Sequence, residues 1–384
     1  MIHRVAIRLV WLLGAGLVPV LVAAWGYAQE PAAAGVDFTN REQVEMARRD
    51  AVRRALLWLK DHQSDDGSWG PQYKDAMTGL SLLAFLAHGE TPDSAEFGPV
   101  IQKASQGLAN YMVGRSAVEA EGRGYGHGIA AYALCEAYAL TKLPVYKFAV
   151  DNALNIIVQG QQRGGGFDYN FAKGERWDLS VSAWQFQALR AGMLGGANIP
   201  GLEEASRRSV EFLKKTAYAN GRFGYASPGA GSWAMTGAGT ACLQIFGEGA
   251  SAEAQAAIKA IHEGYKAELN NENKYAAHTH PGYEWYYMSQ VLCNSGPEGI
   301  EEWYKTFAPI LIRSQRADGH WYCPGSQPDV WAWDQYFSTA MNCLSLDRPS
   351  RVLATYRVAQ TSAPTAPTPP APPDAATAQP APQP

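Results

Sequence analysis

Between residues 41 and 348 the apolar positions fall into two alternating kinds of segment. In the first kind apolar and charged residues recur at three-to-four spacing, as in Val52, Ala55, Leu56 and Leu59 against Arg53, Arg54 and Lys60. That is the pattern of a helix with one wet face. In the second kind small and apolar residues run almost unbroken, as in AMTGLSLLAFLAHG from Ala76 to Gly89, AAYALCEAYAL from 130 to 140 and STAMNCLSL from 338 to 346. A helix that is apolar on every side must be covered on every side, so the pattern predicts outer helices of the first kind and inner helices of the second.

Glycine and aromatic residues mark the turns between the two kinds. They read QSDDGSWG at 63–70, GRGYGHG at 122–128, QQRGGGFDY at 161–169, NGRFGYAS at 220–227, NKYAAHTHPGY at 273–283 and QRADGHWYCPG at 315–325. With Gly67, Gly124, Gly166, Gly221, Lys274 and Gly319 as markers the steps are 57, 42, 55, 53 and 45 residues, a repeat of two helices. Six outer-inner pairs can close into a double-layered ring, and closure gives the terminal repeats the neighbours that an open solenoid must cap with polar faces. The predicted fold is all-α, a single (α/α)6 toroid over 41–348.

Gln63, Gly67, Ser68 and Trp69, echoed by Gln162, Gly166 and Phe167 and by Gln315, Gly319 and Trp321, form a pattern that resembles the QW repeat of squalene-hopene cyclases. The turn-plus-inner-helix stretch at 75–86 also resembles the β subunits of protein prenyltransferases. The resemblance spans all six units and implies the same toroid. It does not carry over the chemistry. In squalene-hopene cyclases an Asp-x-Asp-Asp-Thr-Ala motif supplies the acid; the similar stretch here, DLSVSA at 178–183, keeps Asp178 and Ala183 but has Ser180 and Val181 where two aspartates are expected. Protonating an alkene needs a strong, positioned acid, which neither residue provides. The zinc-binding Asp-x-Cys pair of the prenyltransferases is also missing, because Ala133, Thr240, Val291, Trp321 and Met341 stand two residues before the five cysteines.

In such a ring the turns before the inner helices surround the central cavity, so the residues there are the site candidates. Trp177, Asp178, Trp233, Trp285, Tyr286, Trp331, Trp333 and Tyr336 are the candidate ligand-binding residues. An aromatic-walled cavity can take an isoprenoid or other lipid, stabilise a cation, or stack on sugar rings; equally, large aromatics can simply fill the middle of a closed ring. Glu284, Asp329 and Asp334 are the candidate catalytic carboxylates, able to act as acid and base on a glycosidic bond if the ring brings them face to face. Asp75, Asp178 and Asp334 recur at inner-helix starts, where helix capping alone also accounts for them. His278 and His280 are the candidate metal ligands, a pair that can chelate zinc if Glu284, His127, Cys323 or His320 supplies a third ligand.

Composition narrows the partners. Thirty-two basic against 36 acidic residues, without basic runs, leave no electrostatic footprint for nucleic acid. Five widely spaced cysteines make neither a disulfide framework nor a paired zinc motif. The first 28 residues carry Arg4 and Arg8, an apolar stretch from Leu9 to Ala24, and small residues at Gly26 and Ala28, the form of a secretory signal peptide, or of a membrane anchor if it is not cut. Residues 360–384 hold nine prolines in 25 positions and cannot bury a core; they read as a spacer toward the cell envelope or as a plain extension. Two functions follow: an exported enzyme or enzyme relative acting on a lipid or isoprenoid in the central cavity, and a binding or scaffold protein of the envelope. A carbohydrate-active toroid is a third.

Overall fold

A computed structural model describes residues 33, 35–116, 123–229, 231–265, 281–323 and 332–357. Among them are twelve α-helices in the expected alternation. The outer helices are α1 (Arg41–Asp61), α3 (Gly98–Val113), α5 (Pro144–Gly160), α7 (Leu202–Phe212), α9 (Ala252–Ala260) and α11 (Pro297–Ser314). The inner helices are α2 (Lys74–His88), α4 (Gly124–Thr141), α6 (Leu179–Gly195), α8 (Trp233–Ile245), α10 (Pro281–Asn294) and α12 (Asp334–Asp347). A two-residue hairpin, β1 (Tyr218–Ala219) with β2 (Arg222–Phe223), makes the fourth turn. Burial follows the predicted polarity. Every residue of α2 from Ala76 to Ala87 is buried, whereas α1 buries one stripe that includes Val44, Ala51, Val52, Ala55, Leu56 and Leu59.

The inner helices pack in sequence order, α2 on α4, α6, α8, α10 and α12, and α12 returns to α2. The ring is closed. At the seam α1 packs on both α11 and α12. The buried Arg48 guanidinium bonds Asp347 at 2.9 Å and the Leu346 carbonyl at 2.8 Å. Burial works against ionisation of Glu45 beside it, yet Arg48, Tyr304 and Arg49 outweigh that and hold its carboxyl down at about 2.

One turn design recurs in units one, three and six. The Gln63 amide donates to Gly67 O (3.1 Å) and to Val100 O on the next outer helix (3.0 Å). The Gln161 amide does the same with Gly165 O (2.8 Å) and Ala205 O (2.9 Å), and the Gln315 amide with Gly319 O and Ala51 O (both 2.7 Å). The third unit therefore uses Gln161 and Gly165, one residue before the Gln162 and Gly166 expected from sequence, because the glutamine must lie four residues before the glycine and six before the aromatic Phe167. In each turn the glycine adopts a positive φ (+82°, +93° and +103°). A Cβ there would stand 2.2–2.6 Å from a carbonyl oxygen of the neighbouring outer helix, so no other residue fits. The aromatic residue ties the turn inward: the backbone N–H groups of Trp69, Phe167 and Trp321 donate to Thr78, Ser182 and Thr339 hydroxyls on the inner helices.

Aromatic residues fill the centre of the ring. Trp184 stacks on Tyr286 (5.5 Å), whose hydroxyl donates to Gln187 at 2.6 Å. Beyond α12 the chain turns back, and the short 3-10 helix Ala354–Arg357 packs across α4 and α6. Its Ala354 N–H, Thr355 N–H and Thr355 hydroxyl all donate to the buried Glu136 carboxyl.

Two outcomes are expected. Gln315→Ala, which leaves Ala51 O without its buried donor at the closing seam, should lower stability by ~1–3 kcal/mol, read as a thermal midpoint. Burial pushes the Glu136 carboxyl up, so below the ordinary carboxylate range its contribution is fully present, and it is lost as pH rises through the raised value. The difference in midpoint between the natural chain and Glu136→Gln should accordingly shift against the natural chain from pH 4 to pH 7; a pH-independent difference would contradict it.

Candidate ligand cavity at the ring mouth

The inner helices all start at one rim, and there the described residues enclose a cavity of about 1160 Å³. Its walls come from the first turn of α2 (Lys74 to Thr78), from Tyr111 on α3, from Arg123, Tyr125 and Ile129 at the start of α4, and from Tyr169, Tyr283, Trp333 and Phe337. Most of that surface is apolar or aromatic. Tyr73 stands at the opening, 64% exposed, in a left-handed conformation (φ 51°), with its ring edge-on to Trp333 at 5.9 Å. Tyr125 and Tyr169 stack at 6.2 Å on another wall.

One polar cluster reaches into this surface. The Tyr111 hydroxyl donates to Asp75 Oδ2 at 2.9 Å, and the exposed Arg123 guanidinium is kept ionised by Tyr111 and the Asp75 charge. Burial, with the Asp75 charge beside it, pushes the Tyr111 phenol up. Asp75 Oδ1 accepts the Ala76 N–H at 2.9 Å. At the edge Asp66 is paired with Lys74 at 3.0 Å, and hydrogen bonds from Ser68 and Lys74 hold its carboxyl well below the usual range.

Helix rotation explains which of the sequence candidates face this space. Asp75, Asp178 and Asp334 lie three, four and five residues before the hydroxyls that anchor their turns, Thr78, Ser182 and Thr339, so at 100° per residue they point in three directions. Only Asp75 is on the cavity wall. Asp178 is the N-cap of α6, accepting from the Ser180 and Val181 N–H groups. Asp334 is fully buried and takes the Cys323 N–H at 2.8 Å, holding turn six to α12. Trp333 and Phe337, four residues apart, share a face of the cavity.

The remaining candidates are dispersed. Trp177 packs edge-on to Phe212 of α7 (5.1 Å) and Trp285 edge-on to Phe307 of α11 (5.3 Å). Tyr286 lies in the ring centre, Tyr336 against Trp58 of α1, and Trp233 under the Arg222 guanidinium. Glu284 is buried and accepts from the Tyr265 hydroxyl at 2.8 Å. His278, His280, Asp329 and Trp331 lie outside the described residues. Among the described residues no three His, Cys, Asp or Glu side chains are grouped to hold a metal ion, and no helix is long and apolar enough to cross a membrane. Sequence reading missed Tyr111 and Arg123; the former sits in the last turn of an outer helix, outside the glycine-aromatic turns.

No protein-family description matches the chain, and no curated protein matches it in sequence. Solved structures do. The GH76A α-1,6-mannanase of Salegentibacter sp. HEL1_6 superposes with a TM-score of 0.58 at 10% identity, over 79% of this chain and 99% of that one. The type II terpene cyclase MstE from Scytonema does so with 0.53 at 15% identity, over 80% and 99%, and a variant of it in complex with geranylgeranyl dihydroxybenzoate with 0.54 at 16%. The chain has their fold, the (α/α)6 toroid. At such identities the likeness extends to the architecture alone.

Asp334→Ala should cost ~1–3 kcal/mol of stability by stranding the buried Cys323 N–H, measured by urea unfolding; an unchanged midpoint would show that the carboxylate is no structural tie.

Proposed function

We propose that the chain is an exported protein that binds a lipid or isoprenoid in the cavity at the ring mouth. The observation that carries this reading is the cavity itself, about 1160 Å³ with aromatic walls and one small polar cluster. Apolar surface supplies affinity and a few convergent polar groups supply orientation, which is the make-up of a small-molecule site. Two further facts support the reading: the form of the first 28 residues for export, and the isoprenoid-bearing substrate of the terpene cyclase neighbour. The mannanase neighbours bind α-1,6-mannotriose, so that sugar is the natural competitor in a binding test.

Squalene cyclisation is not part of the proposal, since Ser180 and Val181 stand where the two acids are expected and Asp178 caps the start of α6.

The reading is tested by titrating the purified chain with a fluorescent geranylgeranyl probe and with mannotriose, alongside native mass spectrometry for co-purified lipid. Trp333→Ala should weaken the probe at least about tenfold, or about 1.4 kcal/mol, while far-ultraviolet dichroism stays helical. Saturable mannotriose binding with no probe binding would overturn the proposal.

A further inference from the structure

Helix N-termini attract anions, because their first N–H groups lack partners and the helix dipole is positive there. Four helices begin at the cavity, α2, α4, α10 and α12, and between the first two the protein has placed a carboxylate. Asp75 accepts the Ala76 N–H in the first turn of α2. Its other oxygen lies so close to the first turn of α4 that a Cβ on Gly126 would stand 2.3 Å from it. Gly126 is therefore the cradle for this carboxylate. The position that a phosphate group would take is filled.

The remaining charges at the cavity are compensated as well. Of its four charged lining residues among those described, Lys74 is paired with Asp66, while Asp75, bonded by the Tyr111 hydroxyl, and Arg123 carry opposite charges. Two carboxylates balance two cations on this lining, so an incoming ion of either sign meets no surplus of opposite charge. What is left open is acceptor capacity: each Asp75 oxygen takes one hydrogen bond from the protein and has a second lone pair.

We infer that the ligand carries an uncharged, hydroxyl-bearing head that donates to the Asp75 carboxylate, and that phosphate-headed relatives with the same apolar chain are rejected. This rests on the lipid reading above and adds the class of head group to it. The apolar part can be isoprenoid or acyl with the same head chemistry.

The experiment compares geranylgeraniol with geranylgeranyl diphosphate, and oleyl alcohol with oleyl phosphate, by calorimetric titration of the full chain. The alcohols are expected to bind at least about tenfold more tightly than their phosphates, as burying a phosphate without a charged partner is strongly unfavourable. The tail series with the tighter alcohol identifies the apolar part. Alcohol affinity should stay within about twofold between 0.05 and 0.5 M salt, where an anion held by Arg123 or Lys74 would weaken markedly. Asp75→Asn should shrink the preference mainly by admitting the diphosphate. The wild-type comparison and the salt series keep the test decisive if that variant does not fold. Equal or tighter binding of the phosphates would overturn the inference and leave the lipid reading intact; failure of all four compounds to bind would sink the lipid reading itself.

Discussion

The fold depends on a glutamine amide that belongs to two units at once. In turns one, three and six its two N–H groups reach a carbonyl in its own turn and a carbonyl on the next outer helix. Buried carbonyls need donors, and here a single side chain serves a pair of them while setting the distance between neighbouring repeats. Glycine follows because the turn must pass within contact distance of that same outer helix. In unit six the partner helix is α1, so the staple that spaces ordinary neighbours also joins the last repeat to the first. Ring closure thus needs no special device beyond the Arg48–Asp347 pair buried at the seam.

Closure produces a narrow centre, and what fills it decides where a ligand can go. Trp184 and several tyrosines occupy the middle, where Gln187 bonds the Tyr286 and Tyr287 hydroxyls, and the Ala354–Arg357 segment is tied to α4 through Glu136. Such a polar core is stable only when its members are satisfied. Its consequence is a ring that is no channel: the open volume is displaced to the rim where the inner helices begin. That rim is where four helix starts and an outer-helix tyrosine converge, giving an aromatic wall with one carboxylate set into it.

Fold likeness to a terpene cyclase and to a mannanase shows how little the ring itself dictates. Both chemistries use the same architecture, so the discriminating features are the ones that differ at the rim. Here the rim carries the Asp75 carboxylate, bonded at the start of α2 and close against the start of α4, and the Tyr73–Trp333 edge contact.

Much of the architecture was legible in the chain. Unbroken apolar runs against mixed-polarity runs separate inner from outer helices, since burial on all sides and burial on one side leave different periodicities. The Gln-x3-Gly spacing marks the turns because it is local geometry within seven residues. Two things escaped. The third turn holds two Gln-x3-Gly spacings, Gln161 to Gly165 and Gln162 to Gly166, and the one that lies six residues before the aromatic Phe167 makes the bonds to the next outer helix. The ligand wall was sought where aromatics and acids crowd in sequence, at 284–287 and 329–337, yet residues adjacent along a helix point 100° apart, so Trp285, Tyr286 and Asp334 turned into the core while Trp333 and Phe337 faced out. Tyr111, distant from Asp75 in the chain, meets it only because α2 and α3 pack together. The repeat is a property of local spacing and is written in the sequence; which side chains share one cavity depends on helix rotation and on neighbours, and only the assembled ring determines it.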